Sequence, residues 1–250
     1  MSNSSLVSYT QISPNKTSPR NHTIDTITIH CMAGNLSVET CGNVFAPSSR
    51  QASSNYGIGS DGRIGMYVEE KDRSWCSSNA ANDHRAVTIE VANDGGADTG
   101  WHVSDKAYNA LINLVTDICK RNNIKKLLWQ GDKSLIGQVD KQNMTVHRWF
   151  ANKSCPGDYL YNLHGQIAAA VNQKLGVSDN SGGSGSGTQT SFLVRVTADV
   201  LNIRSGPGTS YSKVGSITDG GVYTIVETSG NWGRLKSGAG WICLDYTVRV

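Results

Sequence analysis

Two side chains able to bind a transition metal lie close together in the stretch Thr145 to Gly157, TVHRWFANKSCPG. His147 precedes Cys155 by eight residues, and Lys153 stands two residues before that cysteine. Imidazole nitrogen and thiolate sulfur both suit zinc, a borderline-soft cation. The spacing is too long for one helical face or a simple turn pair. It fits a strand end running into a loop, which Pro156-Gly157 then forces to turn. Two ligands do not make a site, and an isolated histidine and cysteine are more often a packed ring and an inert thiol.

A catalytic zinc takes three protein ligands and leaves a position open, whereas a structural zinc takes four. The best third ligand is His30, which ends the alternating run Thr26-Ile27-Thr28-Ile29-His30. That alternation reads as a strand, and strand ends deliver side chains into clefts. Of the other histidines, His22 lies in the polar start, His84 and His102 in loops, and His164 within the last helix as a packing or surface residue. Cys31 follows His30, but neighbours along a strand face opposite ways, which argues against both holding one ion. A second alternating run, Ala86 to Val91, carries Glu90 near its end. A carboxylate in an apolar strand is exposed, paired or functional, because burying it alone is costly.

Other elements must position these groups. Ser37 caps a helix starting near Val38. Segments 55–59 and 64–68 flank Asp61-Gly62 as a hairpin. The clearest helix runs from Val103 to Asn122, capped by Ser104, with Ala107, Leu111, Leu114, Val115 and Ile118 on one apolar stripe. Residues 124–139 read equally as helix or loop. A last helix opens at Asp158, turns Leu160, Leu163, Ile167, Ala170 and Val171 inward, and stops at Gly176. Ser178 to Ser191 is nearly all Gly, Ser, Thr, Asn and Asp, a flexible linker with a reach of roughly 20 Å. Beyond it, five short strands are expected at Phe192–Val196, Val200–Arg204, Gly221–Val226, Asn231–Leu235 and Gly240–Leu244, making a small all-β barrel. The expected division is residues 1–176, a linker at 177–191, and 192–250.

Composition limits the partners. The 250 residues carry a formal charge of +3. Residues 1–176 hold 17 basic and 15 acidic side chains and the remainder 6 and 5, so neither part is a polycation and nucleic-acid binding has no electrostatic support. No apolar run approaches the roughly 18 residues that cross a bilayer, so no membrane insertion is expected. The first 20 residues lack the apolar core of a signal peptide. The six scattered cysteines are then expected as free thiols or metal ligands rather than disulfides.

In order along the chain stand a strand ending in IH, the segment SSNYGIGSDGRI, the strand AVTIEVAN and the block H-x7-CPG. Together these resemble the zinc-dependent N-acetylmuramoyl-L-alanine amidases, the amidase-2 family related to T7 lysozyme and the peptidoglycan recognition proteins. The resemblance covers roughly Thr26 to Leu175. The tail, VLNIRSGPGTSYSKVGSI followed by NWGRLKSGAGWI, resembles bacterial SH3 domains that bind cell walls. The combination looks like a phage or prophage endolysin of a Gram-positive host.

The resemblance implies an α/β amidase domain with a mixed central β-sheet flanked by helices, followed by a small SH3-like barrel. It implies Zn2+ held by His30, His147 and Cys155, with Glu90 as proton carrier and Lys153 stabilising the oxyanion. The substrate would be the peptidoglycan of Gram-positive bacteria, cut between the lactyl group of N-acetylmuramic acid and L-alanine of the stem peptide. Asn202, Arg204, Tyr211, Trp232 and Trp241 would contact the wall, although a domain this small also needs its tryptophans for a core. Without a signal peptide, the protein would be made in the host cytoplasm and reach the wall by holin-dependent release.

One position departs from the pattern. T7 lysozyme uses a tyrosine in the segment before the Asp61-Gly62 turn, and that position is Ser54 here. Tyr56 falls two residues later, at the usual core aromatic, and an alternating strand sends both to one face. The proton work is therefore assigned to Glu90 and packing to Tyr56. Three other readings stand beside the amidase: a non-catalytic peptidoglycan-binding protein, which in this fold lacks the cysteine ligand; a closed structural zinc or disulfide protein; and a T7-like polymerase-binding role that the residues neither support nor exclude.

Overall fold

Alternation in the strand sequences gives the central sheet two chemically different faces. The computed structural model describes residues 2–177, 191–209, 211–229 and 232–250, in two compact units divided between Asp179 and Asn180. The first unit runs β1 (Tyr9–Thr10), β2 (Lys16–Thr17), β3 (Thr26–Cys31), α1 (Val38–Phe45), β4 (Tyr56–Ile58), β5 (Ile64–Met66), β6 (Arg73–Ser74), α2 (Ala80–Arg85), β7 (Ala86–Val91), α3 (Asp105–Arg121), β8 (Met144–Val146) and α4 (Gly157–Leu175). Its main sheet has the order β1-β5-β4-β7-β3-β8. β4, β7, β3 and β8 run parallel, and β5 is antiparallel to β4, so the sheet is mixed.

One face of that sheet is apolar. Ile27, Ile29, Val87, Ile89, Tyr56 and Ile58 join the core cluster that also contains the inner stripes of α3 and α4. The expected stripe of α3 is fully buried at Ala107, Leu111, Leu114, Val115 and Ile118. Each such aliphatic side chain contributes about 1.5–3 kcal/mol by leaving water. Ser104 caps α3 by accepting from the Ala107 N–H, and Ser37 caps α1 by accepting from Thr40. Gly176 ends α4 at φ 74, a left-handed value that glycine adopts without strain.

The other face is polar: Thr28 and His30 on β3, Thr88 and Glu90 on β7, and Thr145 on β8 alternate with the apolar residues. Toward β4 and β5 this row continues as Gly57, the register partner of Glu90, and Gly65. A Cβ on either glycine would meet the Tyr67 ring or its hydroxyl within 2.8 Å. The paired glycines thus let Tyr67 lie flat over the sheet, where it packs with Cys41 and Phe45 of α1.

Some expectations change. Residues 124–139 form a loop with one short 3-10 turn at Lys133–Leu135. His84 sits in the last turn of α2, not in a loop, because Asn79 caps a short helix there by accepting from the Asn82 N–H. His164 is wholly buried, its Nδ1 2.6 Å from the Leu160 carbonyl and its ring 4.5 Å from that of Trp129. Ser54 and Tyr56 are both buried: the Ser54 hydroxyl donates to the Tyr56 carbonyl at 2.8 Å, and the Tyr56 hydroxyl donates to Glu70 at 2.6 Å.

Among its described residues the second unit contains seven strands rather than five: β9 (Phe192–Val196), β10 (Leu201–Arg204), β11 (Lys213–Ile217), β12 (Val222–Ser229), β13 (Trp232–Leu235), β14 (Trp241–Cys243) and β15 (Thr247–Arg249). They form an antiparallel sheet in the order β11-β10-β14-β13-β12-β9-β15. Among the described residues β11 and β15 are its two edges, so no pairing closes it into the expected barrel. Val194, Val196, Leu201, Ile217, Ile225, Leu235 and Ile242 make its core. The expected start of one strand, Asn231, and the linker segment 178–190 lie outside the described residues.

Tyr56→Phe removes a hydroxyl that also accepts from the Ser4 N–H at 3.0 Å. Glu70 keeps Arg121 and Asn122 as partners. The expected result is a loss of about 1–2 kcal/mol in denaturant titration, with the hydrolysis that the resemblance implies unchanged. A large fall in hydrolysis would overturn the assignment of Tyr56 to packing.

Candidate metal centre and active site

Register brings the distant residues together. His30 and Glu90 are direct partners across β3 and β7, so their side chains emerge side by side from one face. On the other flank, Ile29 pairs with Val146 at the end of β8, and the next residue, His147, opens a 3-10 turn. Its ring centroid lies 5.1 Å from that of His30. All three groups stand at the carboxyl ends of adjacent parallel strands, the usual place for a site in an open α/β sheet. Cys155 comes from the loop before α4, tied by the Arg148 N–H to the Cys155 carbonyl at 3.1 Å.

The candidate ligand atoms of His30, His147 and Cys155 lie within 4.8 Å of one another. Cys155 Sγ is 3.4 Å from His30 Nδ1. A zinc ion bonded to one nitrogen and one sulfur at tetrahedral angles separates them by about 3.6 Å. The donor set therefore fits zinc in both chemistry and spacing. Burial, then the facing His147, pulls His30 down to about 3. Burial, then Lys153, lowers His147. Both rings are thus neutral at pH 7, as metal ligands must be. The hydrogen bond with Cys31, then burial, pushes the Cys155 thiol up. Losing that proton requires a nearby cation.

Glu90 is 15% exposed, and its Oε1 is 4.0 Å from His30 Nδ1 and 3.8 Å from the Cys76 thiol. Among the described residues its Oε2 has no hydrogen-bond partner. Burial, then the charge of Cys31, raises the carboxyl to about 8. Lys153 is exposed and shares a pocket of about 470 Å³ with His147, Cys76, Ser78, Arg50 and Arg73. Cys31 touches Cys155 through its N–H, 3.4 Å from the sulfur, but is not part of the ligand cluster.

Below the row lies a hydrogen-bonded polar layer. Thr28 and Thr145, each two residues before a histidine, bring their hydroxyls to 2.7 Å. Asn82 of α2 spans them, donating to Thr28 at 3.1 Å and accepting from Thr145 at 2.9 Å. Sequence reasoning missed Asn82, Asp83, Cys76 and Ser78, because α2 is only six residues long. The available signal was Asn79 ahead of Ala80-Ala81 with Asp83 in the first turn, a helix-start pattern.

In the second unit, Asn202, Arg204 and Trp232 line a groove of about 590 Å³ with Val200, Asp245 and Tyr246. Trp241 is 7% exposed and does not line the groove. Tyr211 lies outside it, its ring against Gly206 and its carbonyl accepting from Arg204 at 2.7 Å.

Residues 20–158 match the family of N-acetylmuramoyl-L-alanine amidases. The chain belongs to that family. Residues 199–246 match the bacterial SH3 domain. No curated protein sequence matches the chain. Among solved structures, it is similar to the endolysin amidase LysCS from Clostridium intestinale, with 17% identity over 69% of this chain and 94% of that one and a TM-score of 0.45. A mutant endolysin from Bacillus subtilis matches at 16% identity over 65% and 97%, with a TM-score of 0.48. An AmpD derivative matches at 17% over 69% and 95%, with a TM-score of 0.46.

Thr28→Val tests the layer beneath the ligands. It leaves Asn82 and Thr145 each short of a buried partner, which costs about 1–3 kcal/mol. Urea unfolding of the metal-free protein should show that loss. An unchanged midpoint would remove the layer from the account of stability.

Proposed function

We propose that the protein is a zinc-dependent amidase that cleaves between the N-acetylmuramoyl lactyl group and L-alanine in the peptidoglycan of Gram-positive bacteria. The observation that carries this reading is the convergence of His30, His147 and Cys155 on one point beside Glu90. His30 and His147 enter neutral and Cys155 as thiolate, and they would hold the ion. Zinc bound there supplies Lewis acidity, polarising the amide carbonyl and acidifying water. With the charge of the ion beside it the Glu90 carboxyl would be ionised, so that it takes a proton from the attacking water and returns it to the alanine nitrogen as the amide bond breaks. A carboxyl with one free oxygen, in a largely buried position, is suited to that shuttle. Lys153, on the pocket wall, offers positive charge to the oxyanion.

The second unit is proposed to hold the protein on the wall, through the groove with Asn202, Arg204 and Trp232. Residues 1–176 would form the amidase domain, 177–191 the linker and 192–250 the wall-binding domain. The linker would keep the amidase at high local concentration near its substrate. In this reading the protein reaches the wall from the host cytoplasm by holin-dependent release. The rival, a binder without hydrolysis, is disfavoured by Cys155, whose sulfur stands at ligand distance from His30.

Mass spectrometry of purified Gram-positive walls, digested with and without chelator, tests the reaction. The expected products are intact stem peptides with free L-alanine amino termini, absent when chelator is present. Cleavage within the glycan or the peptide would overturn the reading, and release of no new amino termini would favour the binder. Glu90→Gln should keep zinc and lose about 10²–10⁴-fold in turnover. Lys153→Ala should lose about 10²-fold or more, mainly in kcat. Near-normal turnover in either variant takes that residue out of the mechanism.

A further inference from the structure

An arch at Cys76–Ser78 touches the site at two points. Cys76 donates its thiol proton toward Glu90 Oε1 at 3.8 Å, and the Ser78 hydroxyl lies 3.1 Å from His147 Nε2. Asp83 of α2 clamps the arch from beneath. Its carboxylate accepts from the Cys76 N–H at 3.0 Å, from the Ser77 N–H at 3.1 Å and from the Ser77 hydroxyl at 2.5 Å. Asp83 is 1% exposed, so these bonds replace its water. At the far end Asn79 caps the helix, its side chain accepting from the Asn82 N–H at 2.9 Å. The segment from Cys76 to Asp83 is therefore a closed, internally bonded unit.

Ser78 sits at φ 62, a left-handed conformation that strains residues with a side chain. Glycine would occupy it freely, yet the position carries a hydroxyl, and that hydroxyl faces an imidazole nitrogen. A histidine that ligates a metal through one nitrogen has its ring fixed by a hydrogen bond at the other. Ser78 occupies that role on Nε2, leaving Nδ1 of His147 for the ion.

We infer that Ser78 and Asp83 are positioning residues for the metal centre: Asp83 fixes the arch, and through Ser78 the arch fixes the ring of His147. The inference rests on the zinc reading above. It accounts for a strained serine and a buried carboxylate that the hydrolytic mechanism does not use.

The experiment is zinc affinity by chelator competition on the full chain, with the visible spectrum of the cobalt-substituted protein as a second readout. Ser78→Gly removes the hydroxyl and relieves the strain. It should hold or raise the thermal unfolding temperature of the metal-free protein while weakening zinc binding about 10–100-fold and changing the cobalt spectrum. Ser78→Asn tolerates the left-handed backbone and keeps an acceptor, so it should restore most of the affinity. Asp83→Asn should weaken zinc binding similarly. If that variant does not fold, the two Ser78 variants still decide. A parent protein that binds no zinc overturns both this inference and the amidase reading. A parent that binds zinc, with Ser78→Gly binding equally tightly and giving the same spectrum, overturns this inference alone.

Discussion

The site depends on the register between β3 and β7. Because His30 and Glu90 are partners in a parallel ladder, an imidazole and a carboxylate sixty residues apart in sequence are set side by side by backbone pairing. A slip of one residue would send His30 into the apolar core and Ile29 into the cleft. Such a slip is blocked by Ile27, Ile29, Val87 and Ile89, all wholly buried on the opposite face. The geometry of the site is thus enforced by hydrophobic packing on the far side of the sheet. α3 and α4 contribute no ligand, but they provide that packing.

The near face meets a different constraint. Thr28, Thr88 and Thr145 are buried hydroxyls directly under the row, and each needs a partner. Thr28 and Thr145 bond one another and Asn82, while Thr88 bonds Ser74 and the Asn55 side chain. These bonds add little net energy individually, but leaving one unmade is costly. The layer therefore ties β8, β3 and α2 together on one side and β7 to β6 on the other. The positions of His147, His30 and Glu90 follow from it.

Much of this was legible where one chemical pattern decides one structure. The run Thr26-Ile27-Thr28-Ile29-His30 shows both faces of β3 by alternation, and the stripe of α3 matches its buried residues. The trio of His30, His147 and Cys155 rested on resemblance; spacing alone could not join residues on separate strands. What stayed hidden has physical reasons. β1, β2, β6 and α2 are two to six residues long, too short to show a period. β11 and β15 are edge strands with exposed valines, Val214 and Val248, so they lack a clear inward pattern. Trp241 and Trp232 look alike in sequence and share one sheet face in the register of β13 and β14, yet one is buried and the other lines a groove, a difference that alternation cannot show.

Three thiols near the candidate metal centre raise the question of why it would stay open instead of closing into a structural zinc site. Cys31 and Cys76 both lie close by, and Cys76 forms a second possible ligand group with His30 and Glu90. The Cys76 thiol points at Glu90 Oε1, 3.8 Å away, so its contact is with the carboxylate. Cys31 turns its N–H toward the Cys155 sulfur and is not in the ligand group with His147. Each extra cysteine is thus engaged with a group that the site already uses. In the proposed reading His30, His147 and Cys155 would then hold the ion, with Glu90 beside them facing substrate and water.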